Sequence, residues 1–405
     1  MYIKKDSLIE AYKVEYEHYF KKYSLIKIIL KTIKDHLSYF KYSSNTLKKL
    51  EIMNFRYAIL CLNKNIHNQM HESINLIFDQ NKTCFINFKT NKIKNFINYE
   101  LSDFIILTKK EIYINLIYCS FNIIKFILRK ISKEELFYNI NKLFYKSFYL
   151  LENRVSINKN IKIINFDDAD SKVRILNQSL FKDNQKISIQ QGLIINNSIE
   201  YLYPSSDVFL VYGDYFKEKL LNYFNFKKEI ISLGVFELIS DSIDENYMNK
   251  YKNVYISQPY VKSLFKNYFD KISFDMKISA IFKDQKIIKK FHPFEKKFTK
   301  ILNLILCKNF KFIDKPIIEI IKQSDNLITL SSTAAFFGIL FKKNIIVIKH
   351  KYSNYFEEFI ESKFLKYSKQ DNYNMILSAD NLAIDYFFSG NLVNQKYNFD
   401  KYFNG

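Results

Sequence analysis

The sequence predicts two doubly wound α/β domains, and three observations carry that reading. Short apolar runs of strand length alternate with helix-length amphipathic segments from residue 56 to 88 and again from 161 to 224. A second alternating series runs from 253 to 348. Between the two, ISLGVFELISDSIDENYMNKYK (231–252) is acidic and polar and contains Gly234, which suits a crossing between domains.

Taken in order, residues 7–50 read as helical, with Leu25, Ile26, Ile29, Leu30 and Ile33 on one face among lysines. That face can pack on the body of the protein or lie on an anionic membrane surface. RYAILCL (56–62) reads as a strand, SINLIFDQ (73–80) as a helix and TCFINF (83–88) as the next strand. The window IYINLIYCSFNIIKFIL (112–128) is interrupted by Asn115, Ser120, Asn122 and Lys125, which makes it a buried helix rather than a membrane span. IKIINF (161–166), KISI (186–189) and DVFLVY (207–212) continue the strands, with SKVRILNQSLF (171–181) and YFKEKLLNYF (215–224) as helices.

In the second series NVYISQ (253–258), QKIIKKF (285–291), KFID (311–314), NLITL (326–330) and NIIVI (344–348) read as strands. The intervening helices are a stretch around 260–272, FTKILNLILC (298–307), PIIEIIKQS (316–324) and TAAFFGILFK (333–342). The expected organisation is a domain over 1–235 with an N-terminal helical segment, a second over 250–350, and a helical, aromatic tail over 351–405 packing back across the domains.

The bulk composition sets limits. With 48% hydrophobic residues in 405, the chain has material for two cores. Lys+Arg number 62 against 41 Asp+Glu, a net charge of +21 that favours anionic partners. No RNP-like, zinc-finger or helix-turn-helix pattern is present, so nucleic acid is not the expected partner. Cys61, Cys84, Cys119 and Cys307 lie in apolar contexts without C-x-x-C spacing, which predicts buried free thiols and no metal site. The N-terminus lacks the apolar core of a signal peptide, and the chain is expected in the cytoplasm, at most peripheral on the inner face of the membrane.

Ligands of open parallel sheets bind beyond the carboxyl ends of the strands, so the loops there are the candidates. In KIIKKFHPFEKK (286–297), His292 follows a strand and Pro293 permits a helix to start, while Lys290 and its neighbours supply positive charge. An imidazole there can donate to a phosphate oxygen or pass a proton to a leaving group. Ser331, Ser332 and Thr333 follow NLITL; they can cap a helix, or bind an anion with hydroxyls and free N–H groups. Gln190, Gln191 and Gly192 follow KISI, and the glycine lets backbone approach a ligand. Asp168 and Asp170, in NFDDADS, can supply a general base or form a solvated, capping turn. His67, in NKNIHNQMHES, is expected in a loop after the first strand.

The order of these pieces over residues 160–350 resembles bacterial GT-B glycosyltransferases of surface polysaccharide synthesis. The group concerned includes sialyltransferases, polysialyltransferases and capsule transferases that use CMP-activated sugars. Its His-Pro pair and Ser-Ser/Thr motif match His292-Pro293 and Ser331-Ser332-Thr333, and QQGLIINNSIEYLYPSSDVFLVYGDYFKEKLL (190–221) resembles its Gln-His-Gly stretch. The resemblance implies two Rossmann-like domains facing a cleft, and an inverting, metal-independent transfer from a CMP-linked sugar. It further implies no cofactor, and an anionic glycan or lipid-linked saccharide as acceptor, with peripheral contact to an anionic membrane or capsule assembly proteins. His292, Pro293, Lys290 and Ser331 to Thr333 would hold the donor phosphate. Where the group places an acid or histidine as base, this chain has Gln190-Gln191, and an amide cannot take that role. Asp168, Asp170 or His67 must then supply it, or the donor differs: a CDP-polyol phosphotransferase, a UDP-sugar transferase and a non-catalytic polyanion-binding protein with a degenerate core stay open.

Overall fold

The computed structural model describes residues 16, 50–61, 64–87, 96–100, 109–149, 155–166, 170–196, 198–241, 249–261, 264–348, 350, 359, 365–370 and 374–405. Apart from Tyr16 and Leu50, the helical stretch expected over 7–50 lies outside these residues, as does Asp168. The chain forms two units. The first takes residues 1–212, 216–240 and 399–405; the second takes 213–215 and 241–398.

The first unit is built on β2 (Tyr57–Cys61), β3 (Thr83–Asn87), β4 (Ile97–Glu100), β6 (Lys162–Asn165), β7 (Lys186–Ile189), β8 (Val208–Val211) and β9 (Glu229–Ser232). Their order is β4-β3-β2-β6-β7-β8-β9, and every pair is parallel. β1 (Leu50–Ile52) and β5 (Val155–Ile157) make a separate parallel pair. Such a sheet is covered on both faces, so its strands are continuous apolar runs, as Val208–Val211 shows with four buried residues. The helices are α1 (Lys64–Ile77), α2 (Lys109–Ile127), α3 (Lys133–Tyr149), α4 (Ser171–Gln178) and α5 (Asp214–Asn222). Cys84 and Cys119 are buried free thiols here, as Cys307 is in the second unit.

The second unit orders β10 (Tyr251–Ile256), β11 (Ile287–Lys290), β12 (Phe310–Phe312), β13 (Ser324–Thr329) and β14 (Asn344–Ile348) as β12-β11-β10-β13-β14, all parallel. Its helices are α6 (Tyr268–Ile281), α7 (Lys297–Leu306), α8 (Ile317–Lys322) and the single turn α9 (Thr333–Phe336). β15 (Leu365–Gln370) and β16 (Asn374–Ala379) add an antiparallel hairpin to the edge at β14, followed by α10 (Asn381–Phe388) and α11 (Leu392–Asn404). In both units the strand order reverses direction beside the first strand, which is the Rossmann-like doubly wound arrangement.

Four expectations are corrected. The tail after 351 is not wholly helical: LKYSKQ and NMILSA pair as strands because β14 leaves an edge that the hairpin covers. The helix expected near 260–272 spans 268–281, set by Asn267, whose side chain caps it by accepting from the Asp270 N–H. The first-unit helix expected at 73–80 begins nine residues earlier, at Lys64. Residues 109–127 do form a helix, but it is not a buried one: Tyr113, Ile117, Phe121 and Ile124 are exposed. No helix among the described residues is long and apolar enough to cross a membrane.

The polypeptide returns to the first unit at its end. Phe399 and Phe403 are fully buried in the core formed with Tyr57, Phe78 and Phe236. The Tyr57 hydroxyl donates to the Phe403 carbonyl and the Asn404 side chain donates to the Ile77 carbonyl. Within the second unit Gly213 sits against backbone: a Cβ there would overlap the peptide joining Phe387 and Phe388.

Candidate functional site

The carboxyl edge of the second sheet carries the His-Pro loop. β11 ends at Lys290, and His292 follows it half-buried. Pro293 does not begin a helix, contrary to expectation. The Glu295 N–H donates to the His292 carbonyl (2.9 Å), so Pro293 occupies the first inner corner of a tight turn, and α7 starts only at Lys297. The Phe294 N–H donates to His292 Nδ1 (3.2 Å). That bond makes Nδ1 an acceptor, so the proton of the neutral ring sits on Nε2. Burial pushes the His292 pKa down while the Glu295 carboxylate pulls it up, leaving a ring that is neutral at pH 7.

Beneath this loop lies a buried ionic cluster that the sequence did not disclose. Lys271 Nζ reaches the two Asp275 oxygens at 2.6 and 2.5 Å, and Lys289 Nζ reaches Asp275 Oδ2 at 2.9 Å. The Tyr255 hydroxyl donates to Asp275 Oδ1 (2.7 Å), and the Asn303 amide donates to Oδ2 (3.0 Å) while accepting from Lys289 (2.9 Å). Glu295 closes the set, with Oε1 3.4 Å from Lys271 and accepting from Ser257 (3.2 Å), and Oε2 accepting from the His292 N–H (3.2 Å). Two ammoniums and two carboxylates balance, which is how charges survive without water. Burial alone would raise Asp275, but the ammoniums of Lys271 and Lys289 outweigh it and bring its pKa to about 2. Burial lowers Lys289 to about 8 against the pull of Asp275. The cluster thus pins the turn that presents His292.

The other predicted phosphate ligands fall on the same edge. The switch in strand order lies between β10 and β13, so the loop at Ser257 and the loop at Ser331 to Thr333 flank it, and His292 stands one strand away. Ser332 holds the N-cap position of α9, but its side chain makes no capping bond, and its N–H is taken by Thr329 Oγ1 (3.0 Å). The helix is a single turn, so its dipole adds little, and the hydroxyls of Ser331, Ser332 and Thr333 are the groups this loop offers. Lys290 pairs with the exposed Asp314 (3.1 Å), a weak contact that an anion could displace.

In the first unit the structure gives the glutamines a different role. Gln190 is buried; its amide oxygen accepts from the Tyr212 N–H (2.9 Å) and its amide NH₂ donates to the Gly192 carbonyl (2.8 Å). It ties the ends of β7 and β8 together. Gly192 takes φ +77, and its N–H donates to the Tyr212 hydroxyl (2.9 Å). That hydroxyl in turn donates to Glu237 Oε1 (2.5 Å). Glu237 lies in a short 3₁₀ turn (Phe236–Leu238) just after β9, so the three strand ends converge on it. Its Oε2 is enclosed and has no hydrogen-bond partner among the described residues. Burial raises the Glu237 pKa to about 7 even against the Tyr212 hydrogen bond.

Of the expected bases, Asp170 caps α4, accepting from the Lys172 N–H (2.7 Å). His67 is on α1 rather than in a loop, because the helix starts at Lys64; its side chain lies outside the described residues. Gln191 is half-buried at the same loop as Gly192. No group of His, Cys, Asp and Glu among the described residues is arranged to hold a metal ion.

No family model matches the chain, and no curated protein matches it. Among solved structures it is similar to S. aureus MnaA in complex with UDP, with TM-score 0.46 and 11% identity over 78% of this chain and 83% of that one. It is also similar to a putative UDP-N-acetylglucosamine 2-epimerase from Listeria monocytogenes (TM-score 0.46, 12% identity, 87% and 90% covered). A UDP-N-acetylglucosamine 2-epimerase from Rickettsia bellii gives TM-score 0.45 at 10% identity, with 87% and 95% covered. Likenesses of this size do not decide an activity, and the functional reading rests on this chain's own residues.

Proposed function

We propose that the chain is an inverting glycosyltransferase that moves a sugar from a nucleotide-linked donor, CMP-linked by preference, to a hydroxyl of a surface glycan. The observation that carries this reading is the fixed His292 ring, whose Nε2–H is free to donate to a phosphate oxygen while Nδ1 is held by the Phe294 N–H. Ser331 and Thr333 supply further hydroxyls at the same sheet edge. Leaving-group charge is then met by a neutral donor and by the surrounding lysines.

In the step, the acceptor oxygen forms its bond to the anomeric carbon as the bond from that carbon to the phosphate oxygen breaks. The phosphate leaves with the electron pair, and the hydroxyl proton passes to water.

Calorimetric titration of the full chain with CMP, CDP and UDP tests the reading. CMP binding that His292→Ala weakens supports it. Binding of UDP in preference to CMP would replace the donor, and binding of none of the three would favour a non-catalytic polyanion-binding protein.

A further inference from the structure

Helix α7 is turned inside out. Its buried positions are polar, Thr299 (2% exposed) and Asn303 (0%), because Asn303 is required by the ionic cluster of Lys289 and Asp275. Its apolar residues face outward instead: Phe298, Ile301, Leu304 and Ile305 are each more than half exposed, and Phe294 in the preceding turn is 70% exposed. An ordinary surface helix has the opposite arrangement. Five contiguous large apolar side chains in water are a cost that a partner surface removes.

The charges around this face identify the partner. Between Pro293 and Lys311 the basic residues are Lys296, Lys297, Lys300, Lys308 and Lys311. The single acid in that span, Glu295, is buried and engaged with Lys271, Ser257 and the His292 N–H. Lys296 and Lys300 lie over the rings of Tyr268 and Phe291, so their stems run along apolar surface with the ammoniums at its rim. An apolar helix face bordered by lysines, with no exposed acid between Pro293 and Lys311, matches a bilayer interface in which aliphatic groups enter the acyl boundary and ammoniums meet anionic headgroups.

We propose that Phe294 and the outer face of α7 dock the second unit onto an anionic phospholipid bilayer. The proposal does not depend on the nucleotide reading. It places the His292 turn, two residues before Phe294, at the edge of the docked surface.

The test is co-sedimentation of the full chain with vesicles of phosphatidylcholine alone and of phosphatidylcholine mixed with phosphatidylglycerol. Binding is expected to the mixed vesicles, to weaken as salt rises, and to fall about tenfold or more in the double variant Ile301→Asp/Ile305→Asp. Lys296→Gln/Lys297→Gln is expected to reduce the preference for phosphatidylglycerol, by about fivefold for each lysine that meets the surface. Because Ile301 and Ile305 are exposed, the first variant should keep the wild-type melting temperature. The proposal is overturned if the wild type binds neither vesicle, or if the Asp variant binds as well as wild type. It is also overturned if light scattering shows a wild-type dimer that the Asp variant dissolves, since a second copy then covers the helix. Loss of vesicle binding on Ile117→Asp/Phe121→Asp, with none on the α7 variant, would move the docking face to α2 and overturn it too.

Discussion

The Lys289 ammonium lies 2.9 Å from the Asp275 carboxylate, and neither side chain reaches solvent. Lys289 is also the penultimate residue of β11, so the strand that delivers His292 is fastened at its end by an ion pair. Removing one member leaves its partner charged and unpaired in the core, a much larger loss than either side chain's packing.

Asp275→Ala should therefore lower stability by about 3–5 kcal/mol, seen as a reduced denaturation midpoint in urea. Asp275 titrates near 2 when folded, below its ordinary value near 3.8. Its contribution is present above that ordinary value and is lost as pH falls through about 2, so wild-type stability should drop across that window and the variant's should not follow.

His292→Ala should weaken CMP binding by roughly tenfold to a hundredfold, the range for one hydrogen bond to a charged group. His292→Gln, which can offer an amide N–H, should recover part of the loss. An unchanged dissociation constant by calorimetry in the alanine variant would remove His292 from the site.

Glu237→Gln should keep or raise the melting temperature above pH 7, because the neutral amide removes a charge that burial disfavours. The folded pKa lies above the ordinary carboxylate value, so the stabilising effect of the proton is complete below 4.5 and lost as pH rises through 7. A dependence of stability on pH that is identical in the two proteins between 4.5 and 7 would exclude this titration.

Gln190→Glu, which restores an acid at the position, should not improve activity. The new carboxylate would set an oxygen against the Gly192 carbonyl where the amide NH₂ now donates, costing about 1–3 kcal/mol. Thermal melting and kcat measured on the same preparation check both halves.

Gly213→Ala should destabilise the second unit, because the added methyl meets the Phe387–Phe388 backbone rather than a side chain that can move away. A loss of about 1–3 kcal/mol is expected in chemical denaturation.

The sheet strands were legible in the sequence because buried parallel strands are unbroken apolar runs: KISI and NIIVI coincide with β7 and β14. The position of His292 after a strand was legible from the Ile287-Ile288 pair that opens β11, although Lys289 and Lys290 break its apolar run. β9 was not, since Glu229 and Ser232 interrupt its apolar pattern and its last two residues fall inside the stretch read as a crossing. The ionic cluster was hidden because its members come from four elements far apart in the chain, and in a sequence with 62 basic residues no single lysine stands out. Glu237 left one faint trace, a lone acid between the apolar pairs Val235-Phe236 and Leu238-Ile239. The outward apolar face of α7 reads in sequence as an ordinary amphipathic helix, because periodicity reports that a face exists and not which way it points.

Phe399 and Phe403 complete a core whose other members lie before residue 240, with residues 241–398 of the second unit threaded between them. The second unit is thus an insertion, and the first cannot close until the chain has been made almost to its last described residue. During synthesis the later-made half can reach its native state first. Removing residues 399–405 should leave an open hydrophobic slot in the earlier-made half, recognised by chaperones and proteases, while leaving the His292 turn intact.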